Sequence, residues 1–150
     1  KKPAFIIDEY TPSNKLKLLG FKQSLSSLFN IKEPLIYETE SSLNGSFETT
    51  IRLMNEHPDV DAIIYAVDLL AVGGLKALAS IQINVPEKVS VIGIDNSIYT
   101  EISTPRLTSL DNKLFELSVA AARNLIDALQ GRKTSKKMLI FSSIVERETT

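Results

Sequence analysis

The stretch Val89-Ser-Val-Ile-Gly-Ile-Asp95-Asn96-Ser97 decides the fold. Val89, Val91, Ile92 and Ile94 follow one another without regular polar alternation. Such a run reads as a strand buried on both faces, the kind found in parallel sheets. It stops abruptly on a carboxylate and an amide, Asp95 and Asn96. Ligands of open α/β sheets sit beyond the carboxyl ends of the strands. Asp95 therefore stands where a polar ligand would be held. Thr104-Pro-Arg-Leu-Thr-Ser-Leu110 then begins the next extended segment.

Working back from this strand, the chain alternates strand and helix. Residues 4–7 form a short apolar run that ends on Asp8. Thr11, Pro12, Ser13 and Asn14 supply a turn and capping groups for a helix. Leu18, Phe21, Leu25 and Leu28 carry that helix at its own spacing to about Phe29. Residues 35–37 read as a second strand. Phe47, Ile51 and Met54 mark one face of a second helix, which ends before Pro58. Residues 60–66 read as a third strand. Asp68 is expected to cap a helix over residues 69–81, where Gly73 and Gly74 permit close packing. Asp8, Asp68 and Asp95 all fall at or just after strand ends and are expected along one rim of the sheet.

Beyond Ile94 the rhythm changes. Residues 97–104 read as a polar loop and residues 106–110 as a short extended segment. Leu114, Leu117, Ala121, Leu125 and Leu129 make a long amphipathic helix that closes at Gly131. Residues 138–141 and 144–146 read as short strands. The whole order predicts an α/β fold: a mostly parallel sheet with helices on both faces, in three αβα layers.

Composition narrows the function. The 150 residues are 43% hydrophobic and 23% charged, the balance of a globular domain with a real core. Seventeen basic residues against eighteen acidic ones give a formal net charge of −1, which argues against the chain itself being a nucleic-acid surface. The basic cluster at Arg132, Lys133, Lys136 and Lys137 reads as a solvated loop. Without cysteine there is neither a disulfide nor a thiolate metal site. No apolar run is long enough to span a membrane, and no signal peptide is recognisable. Opening on Lys1, the chain is read as a piece of a longer protein. His57, the only histidine, lies beside Pro58 in a loop and has no triad partner nearby in the sequence. No nucleotide loop, nucleophile elbow or metal motif occurs. The expectation is a binding protein and not an enzyme, without a cofactor or metal.

Five ordered motifs resemble the LacI/GalR family of bacterial transcription regulators. Leu19-Gly-Phe21 is similar to the family's Arg-x-x-Gly-Phe helix. The stretch from Val60-Asp-Ala-Ile-Ile to Leu70-Ala-Val-Gly73 is similar to its Asp-Ala-Ile, Asn-Asp, Ala-x-Gly pattern. The remaining three are Val85-Pro-Glu-Lys-Val-Ser-Val-Ile-Gly-Ile-Asp-Asn96, Pro105-Arg-Leu-Thr-Ser109 and Ile144-Val-Glu-Arg147.

The resemblance implies a periplasmic-binding-protein-like lobe without its DNA-binding headpiece. Residues 1–111 would form the second lobe of an effector-binding domain. Residues 112–142 would return to a first lobe that is mostly absent, and residues 143–150 would re-enter the second. It also implies a small-molecule effector, a sugar or related metabolite, contacted by Asp95, Lys17, Ser13, Asn112 and Ser41. Lys17 stands where the family usually has arginine, and so keeps the charge but loses the bidentate fork. Two positions depart further: Val67 replaces a common asparagine, and Ser41 replaces an aromatic that stacks on the ligand. These departures put a standard sugar ligand in doubt and leave three alternatives: a different sugar, a phosphorylated metabolite, or no effector. A homodimer is implied, paired through Leu69, Val72, Ile98 and Ile102. DNA would be bound only through the missing headpiece, in the cytoplasm, with no membrane contact. The alternative of the same fold is a periplasmic sugar-binding protein of a transporter.

Overall fold

The computed structural model describes residues 2–150. In chain order the elements are β1 (Pro3–Ile7), α1 (Pro12–Phe29), β2 (Leu35–Glu38), α2 (Leu43–Glu56), β3 (Ala62–Tyr65) and α3 (Asp68–Ser80). There follow β4 (Ser90–Ile94), α4 (Tyr99–Ile102), β5 (Ser109–Asp111), α5 (Leu114–Leu129) and β6 (Ser143–Val145). The strands make one six-stranded sheet in the order β2-β1-β3-β4-β5-β6. Every neighbouring pair from β2 through β5 is parallel, and only β6 runs antiparallel, against β5.

Strand β1 shows why helices cover both faces. Its side chains alternate, as the pleat requires. Ala4 and Ile6 join the core under α2 and α3, with Leu53, Leu70, Leu75 and Leu78. Phe5 and Ile7 join the core under α1, with Leu18, Phe21 and Leu25. The Phe5 and Phe21 rings meet at 5.1 Å between centroids, tilted by 36°. Thr11 caps α1, its side chain accepting from the Asn14 N–H, and Pro12 occupies the first turn. Proline suits that position because its fixed φ is already helical and no N–H is needed there.

Helix α3 packs closely on its neighbours through its two glycines. A Cβ on Gly73 would stand 2.5 Å from the Leu43 carbonyl oxygen, and one on Gly74 would stand 1.9 Å from the Tyr65 hydroxyl. Hydrogen at both positions is what lets α3 lie against α2 and β3.

Three local expectations need correction. Residues 97–104 are not all loop: they contain α4, a single turn begun where Thr100 Oγ1 donates to the Ser97 carbonyl at 2.8 Å. One turn is too short to carry a periodic signal. Residues 138–141 form no strand, and Leu139 and Phe141 are exposed. Apolar and aromatic residues fit strands only where a neighbouring strand offers a ladder. Asp68 is the first helical residue of α3, whose cap is the extended Val67 with no side-chain hydrogen bond.

No residue of α5 is buried. Leu114, Leu117, Leu125 and Leu129, four members of its apolar stripe, are exposed. By contrast, the end of the chain is locked in. Thr149 is fully buried, its carbonyl accepts from the Val91 N–H at 2.8 Å, and its hydroxyl donates to the Val91 carbonyl at 2.7 Å.

Candidate functional site

Because β1, β3 and β4 are parallel, their carboxyl ends share one rim. Asp95 follows β4 with φ 113° and Asn96 follows it with φ 51°. Residues with a Cβ rarely adopt such values, at a cost of roughly 1–3 kcal/mol each. The turn is therefore held by its surroundings. Asp95 N–H donates to the Leu110 carbonyl at 2.9 Å, and Asn96 N–H donates to Ser109 Oγ at 3.1 Å.

The Asp95 carboxylate is half-buried. Asn112 Nδ2 donates to its Oδ1 at 2.9 Å, and the Lys17 ammonium lies 3.8 Å from the same oxygen. Lys17 also donates to the Ala66 carbonyl at 2.8 Å, which fixes its head at the end of β3. Three of the sequence-derived candidates, from α1, β4 and the segment after β5, thus meet at one point. Ser13 is exposed in the first turn of α1, one helical turn ahead of Lys17 and on the same face. Ser41 bonds a different carboxylate, Asp8. Its hydroxyl donates to Asp8 Oδ2 at 2.8 Å, while Asn14 Nδ2 donates to Oδ1 at 2.9 Å. Asn14 is buried, and its role in fixing Asp8 was hidden behind the capping role its position suggests.

Asp68 does not line the open rim. Only 1% of it is exposed. Its Oδ2 accepts from the Ser97 N–H at 2.6 Å and from Ser97 Oγ at 2.8 Å, and its Oδ1 accepts from Ser109 Oγ at 2.6 Å. Gly93 makes room for it, since a Cβ there would stand 2.3 Å from Asp68 Oδ1. Asp68 is thus the buried brace beneath the 95–97 turn.

Burial pushes the Asp95 carboxyl above its ordinary value; Lys17 and the Asn112 hydrogen bond pull it down, while Asp68 and Asp8 add to the rise. A carboxylate raised on folding weakens the native state wherever it must be ionised. That penalty is present at neutral pH and vanishes as pH falls below the unfolded-state value. Asp95→Asn is accordingly expected to raise the melting temperature at neutral pH and to leave it unchanged in strong acid. A melting-temperature series against pH measures this, and an equal gain at every pH would count against it.

Ile98 and Ile102 are each 67% exposed, while Leu69 and Val72 are half-buried. Val72, Tyr99 and Ile102 line an apolar hollow of about 370 Å³ with Leu43 and Leu75. Among the described residues no cluster of His, Cys, Asp or Glu is arranged to hold a metal. His57 ends α2, its ring edge-on to Tyr37 at 6.4 Å. No helix among the described residues is long and apolar enough to cross a membrane.

Comparison with known proteins places this geometry. A family model described as a periplasmic binding protein-like domain matches residues 1–150. A helix-turn-helix-type transcriptional regulator of Lachnoclostridium phytofermentans is 28% identical over 151 residues, covering 100% of this chain and 45% of that protein. The structure of a transcriptional regulator CelR–cellobiose complex superimposes with a TM-score of 0.85 at 25% identity, over 99% of this chain and 46% of that one. A dimeric Lac repressor with a C-terminal deletion superimposes with a TM-score of 0.88 at 25% identity, over 99% of this chain and 55% of that one. The chain spans about half the length of these relatives.

Proposed function

The chain belongs to the periplasmic binding protein-like domain family, in the form carried by LacI-type regulators, and from that premise we propose that it is the effector-binding and pairing lobe of a DNA-binding transcription regulator. The observation that carries the reading is the meeting of Asp95, Lys17 and Asn112 on the sheet's carboxyl rim. Such a site suits a polyhydroxyl ligand. The carboxylate accepts from hydroxyls, and the amide and ammonium orient it. That the CelR relative is described in complex with cellobiose supports a sugar or sugar derivative.

Residues 1–111 and 143–150 would form one lobe, and residues 112–142 would belong to the other. The effector would sit between them, contacted here by Asp95, Lys17, Ser13, Asn112 and Ser41. Its differential affinity for two lobe orientations would shift their populations, a coupling typically worth about 1–3 kcal/mol. Paired headpieces elsewhere in a longer protein would convert that shift into altered DNA binding in the cytoplasm. The role is binding and not catalysis, which agrees with relatives named as regulators. Those names also favour a regulator over a transporter's binding protein, because the fold itself is common to both.

The test uses the longer protein that carries this lobe. Thermal-shift measurements against cellobiose and a panel of sugars and sugar phosphates should find a stabilising ligand. Asp95→Ala should then weaken it roughly 10–100-fold, because hydrogen bonds to a charged group contribute about 1.5–3 kcal/mol. An undiminished shift in that variant would remove Asp95 from the site. Pairing is tested separately. The dimeric state of the Lac repressor relative supports a homodimer through Leu69, Val72, Ile98 and Ile102. Ile98→Glu with Ile102→Glu should turn a sedimenting dimer into a monomer at micromolar concentration, and an unchanged dimer would place the interface elsewhere.

A further inference from the structure

Arg147 ends the Ile144-Val-Glu-Arg147 motif, which the effector contacts leave without a role. Its side chain is only 10% exposed, although it lies near the end of the chain. The guanidinium reaches three separate segments. Nη2 donates to Asn96 Oδ1 at 3.0 Å and to Glu101 Oε1 at 2.6 Å. Nε donates to the same Glu101 oxygen at 3.1 Å, and Nη1 donates to the Leu107 carbonyl at 2.9 Å. Its own backbone N–H is held by Thr108 Oγ1 at 2.8 Å.

We propose that Arg147 is a positioning residue that clamps the Asp95–Asn96 turn to α4, so that the effector rim and the pairing face move as one body. The proposal rests on the reading of Asp95 as an effector contact and of α4 as part of the pairing face. Asp95 and Asn96 are consecutive residues with positive φ, and such a turn persists only when its neighbours over-determine it. Asp68 holds it from below through Ser97 and Ser109. Arg147 holds it through the Asn96 side-chain carbonyl. The same Nη2 also holds Glu101, which adjoins Ile102, an exposed apolar residue of the proposed pairing patch. A planar, five-donor fork can hold all three segments at once, whereas a lysine ammonium is a single point charge. Coupling of this kind is reciprocal: occupancy of the rim biases α4, and pairing at α4 biases the rim.

The experiment is hydrogen exchange, read by mass spectrometry in the longer protein, on Arg147→Lys and on Glu101→Gln. It requires no effector. Both variants are expected to speed exchange of amides 95–98 by about tenfold or more, while amides of β1 and β3 keep their rates. Glu101→Gln is the discriminating case, because Glu101 touches neither Asp95 nor Asn96. A purely local role would confine its effect to residues 99–103, and that outcome would overturn the proposal. A second readout follows the Asp95 carboxyl by carbon NMR. In Arg147→Lys, which keeps the positive charge, a loosened turn wets the carboxylate and moves its titration down. An upward or absent movement in Arg147→Lys also overturns the clamp. If Arg147→Lys fails to fold, Glu101→Gln decides alone. Faster exchange at 95–98 beside a failed effector screen would retain the clamp and discard the effector reading.

Discussion

Gly74→Ala is expected to lower the stability of the lobe by roughly 2–3 kcal/mol, against the usual gain of about 1 kcal/mol for the same change inside a helix. The sign is set by one neighbour. An added Cβ would stand 1.9 Å from the Tyr65 hydroxyl and 2.2 Å from its ring carbon Cζ. Tyr65 is fully buried and its hydroxyl is bonded to Thr50 Oγ1 at 2.9 Å, so the ring has no free direction to move. Burial also pushes that hydroxyl up, keeping it neutral. Tyr65→Phe should not rescue the variant, because the ring carbon remains in the way. Urea unfolding of each variant gives the measurement. A Gly74→Ala protein as stable as the parent would mean that α3 rides higher on the sheet.

Asp68→Ala is expected to cost about 3 kcal/mol and to free the Asp95–Asn96 turn, because buried donors left without an acceptor carry their full desolvation cost. Three donors lose their partner at once: the Ser97 amide, the Ser97 hydroxyl and the Ser109 hydroxyl. Asp68→Asn should cost roughly 1 kcal/mol, since a neutral amide still accepts from Ser97 and can donate to Ser109 Oγ. Calorimetry measures the first effect and hydrogen exchange at residues 95–98 the second. Equal stability of Asp68→Ala and the parent would demote the carboxylate from brace to bystander.

The contrast between Asp68 and Asp95 shows what a sequence can and cannot disclose. Both stand near the end of an apolar run, so both read as rim carboxylates. The strands themselves are legible, because Val91 and Ile94 are apolar for a reason that acts along the chain. The bounds of α1 and α5 are legible from leucine spacing and from Thr11, Pro12 and Gly131. Which way Asp68 turns depends on Gly93, whose missing Cβ opens a space 25 positions away in the chain. The pairing of Arg147 with Asn96 spans 51 positions, and no local pattern encodes it. Residues 138–141 fail for a related reason: their strand-like composition is intrinsic, but a ladder partner is not. Lys17, Asn112 and Asp95 were nameable together because strand ends and resemblance pointed the same way. Ser41 was nameable too, and its hydroxyl donates to Asp8.

The late return of the chain has a consequence for biosynthesis. Thr149 completes the hydrogen bonding of Val91 from 58 positions downstream, and β6 closes the sheet only after α5 has been made. Contacts so distant in sequence form late, once the loop between them can be closed. While a ribosome is still translating α5, the Val91 carbonyl and amide and the open edge of β5 lack their partners. The nascent lobe must wait in that state with a bare strand edge, the kind of surface that chaperones recognise and that stalled chains use to aggregate. A chain cut before residue 143 would make that transient condition permanent.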